Sequence, residues 1–465
     1  MEAWIAEAKA LLAELVAVPS VSAEGRALRE GAEKVAEVLE GLGLRAELHE
    51  GYGPPVVFAE GGEGERTLLF YNHYDVQPPD PLELWETDPF VLAEREGAWY
   101  GRGAHDDKGE LVARVVALRR FQEKHGFLPR VRFVVEGEEE VGSPHLEAYV
   151  ADKRDLLKAE AILWEAGGVD AKGRPYLYAG LKGIVALELR VRTAAFDLHS
   201  SYGTVVANPI YRLSRALASL RDEEGRVLIP GFYAKVRPLT PLEMEVLAEI
   251  PDESEALREA FGVRDFLGGA RNLDFNQRLY AEPCVNFNGF HAGYGGPGSK
   301  TVLPAEARAK LDFRLVPDQD PEEVPELLRR HLEAQGFHDV EVVVLEKGER
   351  PARSDLAHPF VALARRALEE AFGERPVLYP NMAGSGPMHP FLHHLKAPAV
   401  GLGVGYPGSR VHSPNEHIRI RDFERGVRAL LRRLDRSEDE EAPLVLGALE
   451  IDGARHTVRW EGQPV

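Results

Sequence analysis

Thr67-Leu68-Leu69-Phe70-Tyr71-Asn72-His73-Tyr74-Asp75-Val76 and, one loop later, Tyr100-Gly101-Arg102-Gly103-Ala104-His105-Asp106-Asp107-Lys108-Gly109-Glu110 decide how this chain is read. The first run is apolar, of strand length, and closes on His-x-Asp. Residues two apart in a strand share a side. His73 is therefore placed to bind a cation while Asp75 holds its other ring nitrogen, which fixes tautomer and basicity. The second run puts adjacent carboxylates in a Gly-flanked turn, and the apolar spacing from Leu111 to Leu118 predicts a helix after it. A carboxylate at a helix start can bridge metals or accept backbone N–H groups. Each run also has a plain structural reading, a chance His-x-Asp and a solvated acidic turn, so the rest of the chain has to decide.

With 465 residues, the chain is too long for one ordinary core and predicts two or three domains. A composition 44% hydrophobic and 28% charged suits a globular protein and excludes wholesale disorder. No apolar run reaches membrane-span length, and Met1-Glu2-Ala3-Trp4 lacks the basic start of a secretory signal. Cys284 is the single cysteine, which excludes an intrachain disulfide and a thiolate metal cluster. A cytoplasmic setting is the default expectation. The net charge of -20 argues against nucleic acid and anionic membrane as partners.

Helical spacing is expected over residues 3 to 17 and 26 to 42. Strands are expected at Arg45–His49, Val56–Ala59, Leu68–Asp75, Val131–Glu136 and Ala161–Trp164. Alternating strands and helices predict an α/β domain with a mostly parallel central sheet, whose sites collect at strand C-termini. Near Leu181 the pattern changes. Alternation at Ile184–Val191 and Ala307–Leu315, a strand at Val340–Leu345 and helices at Pro209–Arg221 and Glu322–Gln335 predict an antiparallel sheet with helices on one face. The segment Phe232–Gln277 is helix-rich and acidic. From Asp355 the α/β pattern resumes, with helices at Phe360–Phe372 and Arg421–Leu434. The simplest organisation is one α/β domain of residues 1–182 and 351–437, interrupted by an α+β domain of residues 183–350. Charged residues 436–441 read as a linker, and the tail 438–465 as a possible hairpin across Asp452-Gly453.

Further candidates follow strand ends. Glu136-Gly137-Glu138-Glu139-Glu140 comes after an apolar strand, and adjacent carboxylates in extended chain point different ways. One can ligate a metal while its neighbour faces substrate as a base, the division that metal-assisted hydrolysis needs. Glu165 follows Ala161–Trp164, where a lone acid is also an ordinary strand end. His412 sits in a loop before a helix, where a histidine is as easily structural.

Together these residues become recognisable. His73-x-Asp75, Gly101-Arg102-Gly103-x-x-Asp106-Asp107-Lys108-Gly109, Glu139-Glu140-x-Gly142-Ser143, Glu165 and His412-Ser413-x-Asn415-Glu416 stand in an order and spacing similar to the M20 metallopeptidases. Over residues 5 to 436 the chain resembles their carnosinase-like dipeptidase branch. The resemblance implies a zinc-exopeptidase-like catalytic domain with a lid and dimerisation domain, and two Zn2+ with Mn2+ or Co2+ as substitutes. It implies one cation on His73, Asp106 and Glu165, and another on Asp106, Glu140 and His412. Glu139 would be the general base, Asp75 the partner of His73, and the Asp106–Asp107 peptide cis. Asp197-Leu198-His199-Ser200 matches the motif whose histidine reaches the other subunit's site, so a homodimer is implied, with His199 on the scissile carbonyl. Thr301 and Arg314 match positions that grip a substrate carboxylate, a task suited to arginine, and Ser385 matches a further substrate contact.

The sequence departs from the pattern in four places. His105 replaces a small residue, Lys182 replaces an arginine of some relatives, and the tail has no counterpart. Glu165 is more typical of carboxypeptidase and deacylase members. The expected activity is hydrolysis of dipeptides or short peptides with a free carboxylate. The same chemistry on an N-acyl or succinylated amino acid is the alternative, and a non-catalytic metal-binding scaffold is the non-enzymatic one.

Overall fold

A computed structural model describes residues 3–345 and 347–439, together with strand residues 444–446, 449–452, 457–460 and 463–464. Its larger sheet has nine strands among the described residues. In spatial order these are Arg45–His49, Val56–Gly61, Pro129–Glu136, Glu63–His73, Ala161–Trp164, Ala399–Gly401, Pro175–Tyr178 and Val377–Tyr379, with Gly168–Val169 beside Pro175–Tyr178. The four central strands, from Pro129–Glu136 to Ala399–Gly401, are mutually parallel, and antiparallel pairs lie toward the edges.

The apolar run of Glu63–His73 explains its central place. Leu68 and Phe70 enter one buried cluster, while Leu69 and Tyr71 enter another on the opposite face. A strand covered on both faces needs apolar residues at successive positions rather than alternation with polar ones. The first cluster includes residues of the helices Ala3–Val16, Leu28–Glu40, Lys108–His125, Pro359–Phe372 and Ile420–Asp439. The second includes Leu146–Lys153 and His389–Leu395. Tyr71 and Trp164 stack across the second face with centroids 3.9 Å apart. The strands that lead to His73, to Glu139 and Glu140, and to Glu165 are therefore parallel neighbours in a doubly covered layer, and their C-termini open on one edge.

A second, antiparallel sheet orders Cys284–Ala292, Glu306–Leu315, Gly180–Arg192 and Val340–Val344. Val185, Leu187, Leu189 and Val191 alternate onto the helices Pro209–Ala218 and Val324–Ala334, forming a separate core. The long strand Gly180–Arg192 belongs to both regions, since its start pairs with Ala352–Arg353 and Met382–Ser385. Residues 232–277 contain the helices Pro241–Glu249 and Ser254–Phe261 and the first turns of Asn272–Ala281. No helix among the described residues is long and apolar enough to cross a membrane.

Two expectations change. The strand expected at Leu68–Asp75 ends at His73. Residues 436–439, expected as linker, continue the helix Ile420–Asp439. Arg and Glu are good helix formers, so a run of charge does not end a helix. In the tail, Leu444–Leu446, Leu449–Asp452, Thr457–Trp460 and Gln463–Pro464 pair successively antiparallel, and the turn expected at Asp452-Gly453 reaches beyond the described residues.

Candidate active site

His73 closes a central strand, and its ring is 1% exposed. Nε2 lies 3.1 Å from Asp106 Oδ1, 3.7 Å from Glu165 Oε2 and 3.9 Å from Glu139 Oε2. Nδ1 faces Asp75, 3.1 Å from its main-chain oxygen and 3.4 Å from its carboxylate. Because the strand has ended, the Asp75 carboxylate also reaches elsewhere, accepting the amides of Glu139 at 3.2 Å and Glu140 at 3.0 Å. Asp75 thus links the imidazole to the turn that carries the glutamate pair.

Asp106 sits in the loop before Lys108–His125, with a cis peptide to Asp107. Its second oxygen is 3.0 Å from His412 Nε2, which in turn is 3.0 Å from Glu140 Oε2. One carboxylate therefore faces two imidazoles that are 339 positions apart in the chain. Donor atoms of Asp106, Glu140 and His412 lie within 4.8 Å of one another, and so do those of His73, Asp107 and Glu165. Sequence reasoning missed Asp107 in this second group. Asp107 Oδ2 already accepts from Asn72 Nδ2 at 2.6 Å and from the amide of His73 at 3.0 Å, so it fixes the strand end.

Three anchors hold the Asp-Asp turn. Gly109 meets the turn so closely that a Cβ there would stand 2.0 Å from the oxygen of Ala104. Lys108, 1% exposed, donates from Nζ to the main-chain oxygens of Leu15 at 2.9 Å and Val18 at 2.7 Å, closing the end of the first helix. Glu416, fully buried, accepts from Arg102 Nη1 at 2.7 Å and from the amides of Gly103, His105 and Asp106 at 3.0 to 3.1 Å. His105 turns to Ser409 Oγ at 2.9 Å and Glu110 at 3.7 Å.

The acids after Pro129–Glu136 have separate fates. Glu136 accepts from Tyr71 Oη and Ser143 Oγ, and Glu138 pairs with His145. Glu140 accepts from both nitrogens of Gln77 and faces His412. The Glu139 carboxylate makes no hydrogen bond among the described residues and stands across from Gly386, 4.0 Å from a Cβ built there.

Electrostatics point to missing positive charge. Burial first, and neighbouring carboxylates next, hold Glu139 and Glu165 well above the usual carboxyl range; burial also raises Glu140. Burial alone would raise Asp106, but His412 and His73 hold it low. Hydrogen bonding to Asp106 and Glu140 lifts His412 to about 10. Glu165 Oε2 is buried without a hydrogen-bond partner. Buried carboxylates crowded on two imidazoles, one with an orphaned oxygen, are the donor set that divalent cations neutralise, and the oxygen and nitrogen ligands suit zinc, manganese or cobalt. The residues therefore fit such cations.

Of the substrate candidates, Arg314 and Ser385 meet, with Nη1 donating to Oγ at 2.8 Å. His199 and Thr301 lie together elsewhere. Leu198–His199 pairs with Val302–Leu303, and the Ser200 amide donates to the Thr301 oxygen at 3.0 Å. Both residues are exposed, and the His199 ring bonds only locally, to Ser201. Within one chain, no hydrogen bond or ion pair among the described residues joins His199 or Thr301 to the carboxylate cluster.

A family model described as peptidase family M20/M25/M40 matches residues 69–436. A β-Ala-His dipeptidase of Homo sapiens is 31% identical over 391 residues, covering 81% of this chain and 76% of that protein. An M20 family metallo-carboxypeptidase from Sulfolobus solfataricus superposes with TM-score 0.85 at 38% identity, covering 93% of this chain and 99% of that one. The dipeptidase Dug1p from Saccharomyces cerevisiae gives TM-score 0.78 at 25% identity, covering 94% and 96%.

Proposed function

The chain belongs to peptidase family M20/M25/M40, and on that premise we propose that it is a two-metal exopeptidase for dipeptides and short peptides with a free carboxylate. The observation that carries this is Asp106, one oxygen 3.1 Å from His73 and the other 3.0 Å from His412, with the Glu139 carboxylate 3.9 Å from His73 and without a hydrogen bond among the described residues. In this reading residues 1–182 and 351–437 form the catalytic domain and 183–350 the lid and dimerisation domain. His73, Asp106 and Glu165 would hold one zinc, and Asp106, Glu140 and His412 the other. Bound there, the cations would supply the Lewis acidity that acidifies water and polarises a carbonyl. Glu139 takes the proton of the attacking water and delivers it to the leaving nitrogen. Asp75 holds the His73 ring and the Glu139–Glu140 turn in register. Arg314 and Ser385 receive the substrate carboxylate.

His199 has no role within its own chain, so we assign it to the neighbouring site of a homodimer, with Thr301 beside it; the partner subunit's His199 would polarise the carbonyl oxygen. The edge strand Cys284–Ala292 and the nearby exposed Phe196, Val205 and Tyr211 support such an interface. Sedimentation showing an active monomer would refute it. We assign a cytoplasmic location. The N-acyl reading is not favoured, because the relatives named above are peptidases.

The deciding experiment is a panel of dipeptides, a tripeptide and N-acyl amino acids with zinc, manganese and cobalt. Peptides should turn over fastest, and a faster N-acyl substrate would overturn the reading. Two smaller effects are expected. Cation at about 100 times Kd should stabilise the fold by about 2.7 kcal/mol, read as a rise in Tm over chelator-treated protein. Arg314→Met removes a charge-assisted bond and should raise KM for dipeptides by about 10–100-fold, with little effect on their carboxamides.

A further inference from the structure

Lys182 is a buried ammonium with no carboxylate at ion-pair distance among the described residues. It is 3% exposed, its Nζ donates to the main-chain oxygen of Glu282 at 2.6 Å, and it has no ion pair among the described residues. An ammonium has three donors, and a neutral carbonyl satisfies one of them without offsetting the charge.

The sheet register says what lies beside it. On Gly180–Arg192, Lys182 shares a face with Ile184, which pairs with Arg314, and Arg314 pairs on its other side with Cys284. On the parallel side Lys182 pairs with Ser385, the residue whose hydroxyl accepts from Arg314. Arg353, which pairs in register with Gly180, also acts on the Lys182 charge. The two arginines have acids of their own, Asp312 at 3.3 Å from Arg314 and Glu243 at 2.7 Å from Arg353. Lys182 has no such ion pair among the described residues; burial first, with Arg314 and Arg353 adding to it and Cys284 and Glu282 opposing, brings the ammonium down to about 8. One positive charge in this group therefore has no carboxylate at ion-pair distance among the described residues, on the sheet face that carries the carboxylate grip.

We propose that Lys182 and Arg314 form a two-cation subsite, and that the enzyme favours peptides whose carboxyl-terminal residue carries a second carboxylate, aspartate or glutamate. Arg314 takes the main-chain carboxylate and Lys182 the side-chain one, which offsets the cost of its buried charge. The inference rests on the reading of Arg314 as the carboxylate grip.

The test compares Ala-Glu with Ala-Gln, which match in shape and differ in charge. In the wild-type enzyme kcat/KM should favour Ala-Glu by about tenfold or more, the scale of one charge-assisted bond. Lys182→Met should bring the ratio close to one, and Lys182→Arg should keep most of it. General damage to the fold lowers both rates and leaves their ratio alone, so the ratio isolates the charge. A wild-type ratio near one, or a preference that survives Lys182→Met, overturns the proposal; if Lys182→Met does not fold, loss of the preference in Lys182→Gln supports it and retention overturns it. Failure of the wild-type enzyme to cleave either peptide, or any other dipeptide, would instead overturn the peptidase reading.

Discussion

Glu139→Gln is expected to lower kcat by about 10²–10⁴-fold, the usual contribution of a positioned general base, while cation content and Tm stay at wild-type values. The assignment comes from what the neighbouring acids are already doing. Glu140 is held by Gln77 and faces His412, so its oxygens are oriented before any cation arrives. Glu136 and Glu138 are engaged by Tyr71 with Ser143 and by His145. Among the described residues, only the Glu139 carboxylate of this run is free of hydrogen bonds, and it stands 3.9 Å from the His73 ring. Its main-chain N–H is fixed by Asp75, so the base is positioned through its backbone and unencumbered at its side chain. A base must accept a proton in one step and release it in the next, which a carboxylate locked by donors does poorly. Glu140→Gln should behave differently and lose bound cation. Kinetics with parallel elemental analysis separate the two variants. Near-normal turnover in Glu139→Gln would remove the base assignment, and loss of cation in that variant would make Glu139 a ligand.

How much of this was legible in the sequence depends on the range of each interaction. Elements buried on both faces, such as Glu63–His73 and Ala161–Trp164, announce themselves by continuous apolar runs, because every position packs. The His-x-Asp, Asp-Asp and Glu-Glu pairs are local, and their order along the chain was the signal. What Asp75 does was only half visible. Alternation along a strand predicts contact with His73, but the strand stops at His73, and the freed carboxylate caps the amides of a turn 64 positions away. Asp107 and Lys108 looked like a solvated turn in sequence and are 1% exposed. Their partners, Asn72 and the carbonyls of Leu15 and Val18, carry no motif of their own. That His199 bonds to Ser201 and makes no hydrogen bond or ion pair with the carboxylate cluster of its own chain among the described residues is a tertiary matter that periodicity does not encode.

Glu416→Ala should cost about 3–5 kcal/mol of stability, because it leaves the buried Arg102 without its partner. The same change removes the acceptor for the amides of Gly103, His105 and Asp106, which are 310 to 313 positions away in the chain. Those amides shape the turn that aims Asp106 at His73 and His412. A loosened turn spreads the donor atoms, and outer contacts of this kind typically change metal affinity by about 10–100-fold. The two consequences are separable. Arg102→Met together with Glu416→Gln removes the buried charge pair but leaves an amide oxygen for the main-chain donors. With that oxygen toward His105 and Asp106, and only the Gly103 amide losing its acceptor, the double variant should regain much of the lost Tm and part of the cation affinity. Glu416→Ala alone should show both losses, read by thermal unfolding with cation in excess and by titration of the chelator-stripped protein. If Glu416→Ala bound cation as tightly as wild type while unfolding earlier, Glu416 would be a partner for Arg102 alone, and the turn would owe its shape to Lys108 and the close approach at Gly109.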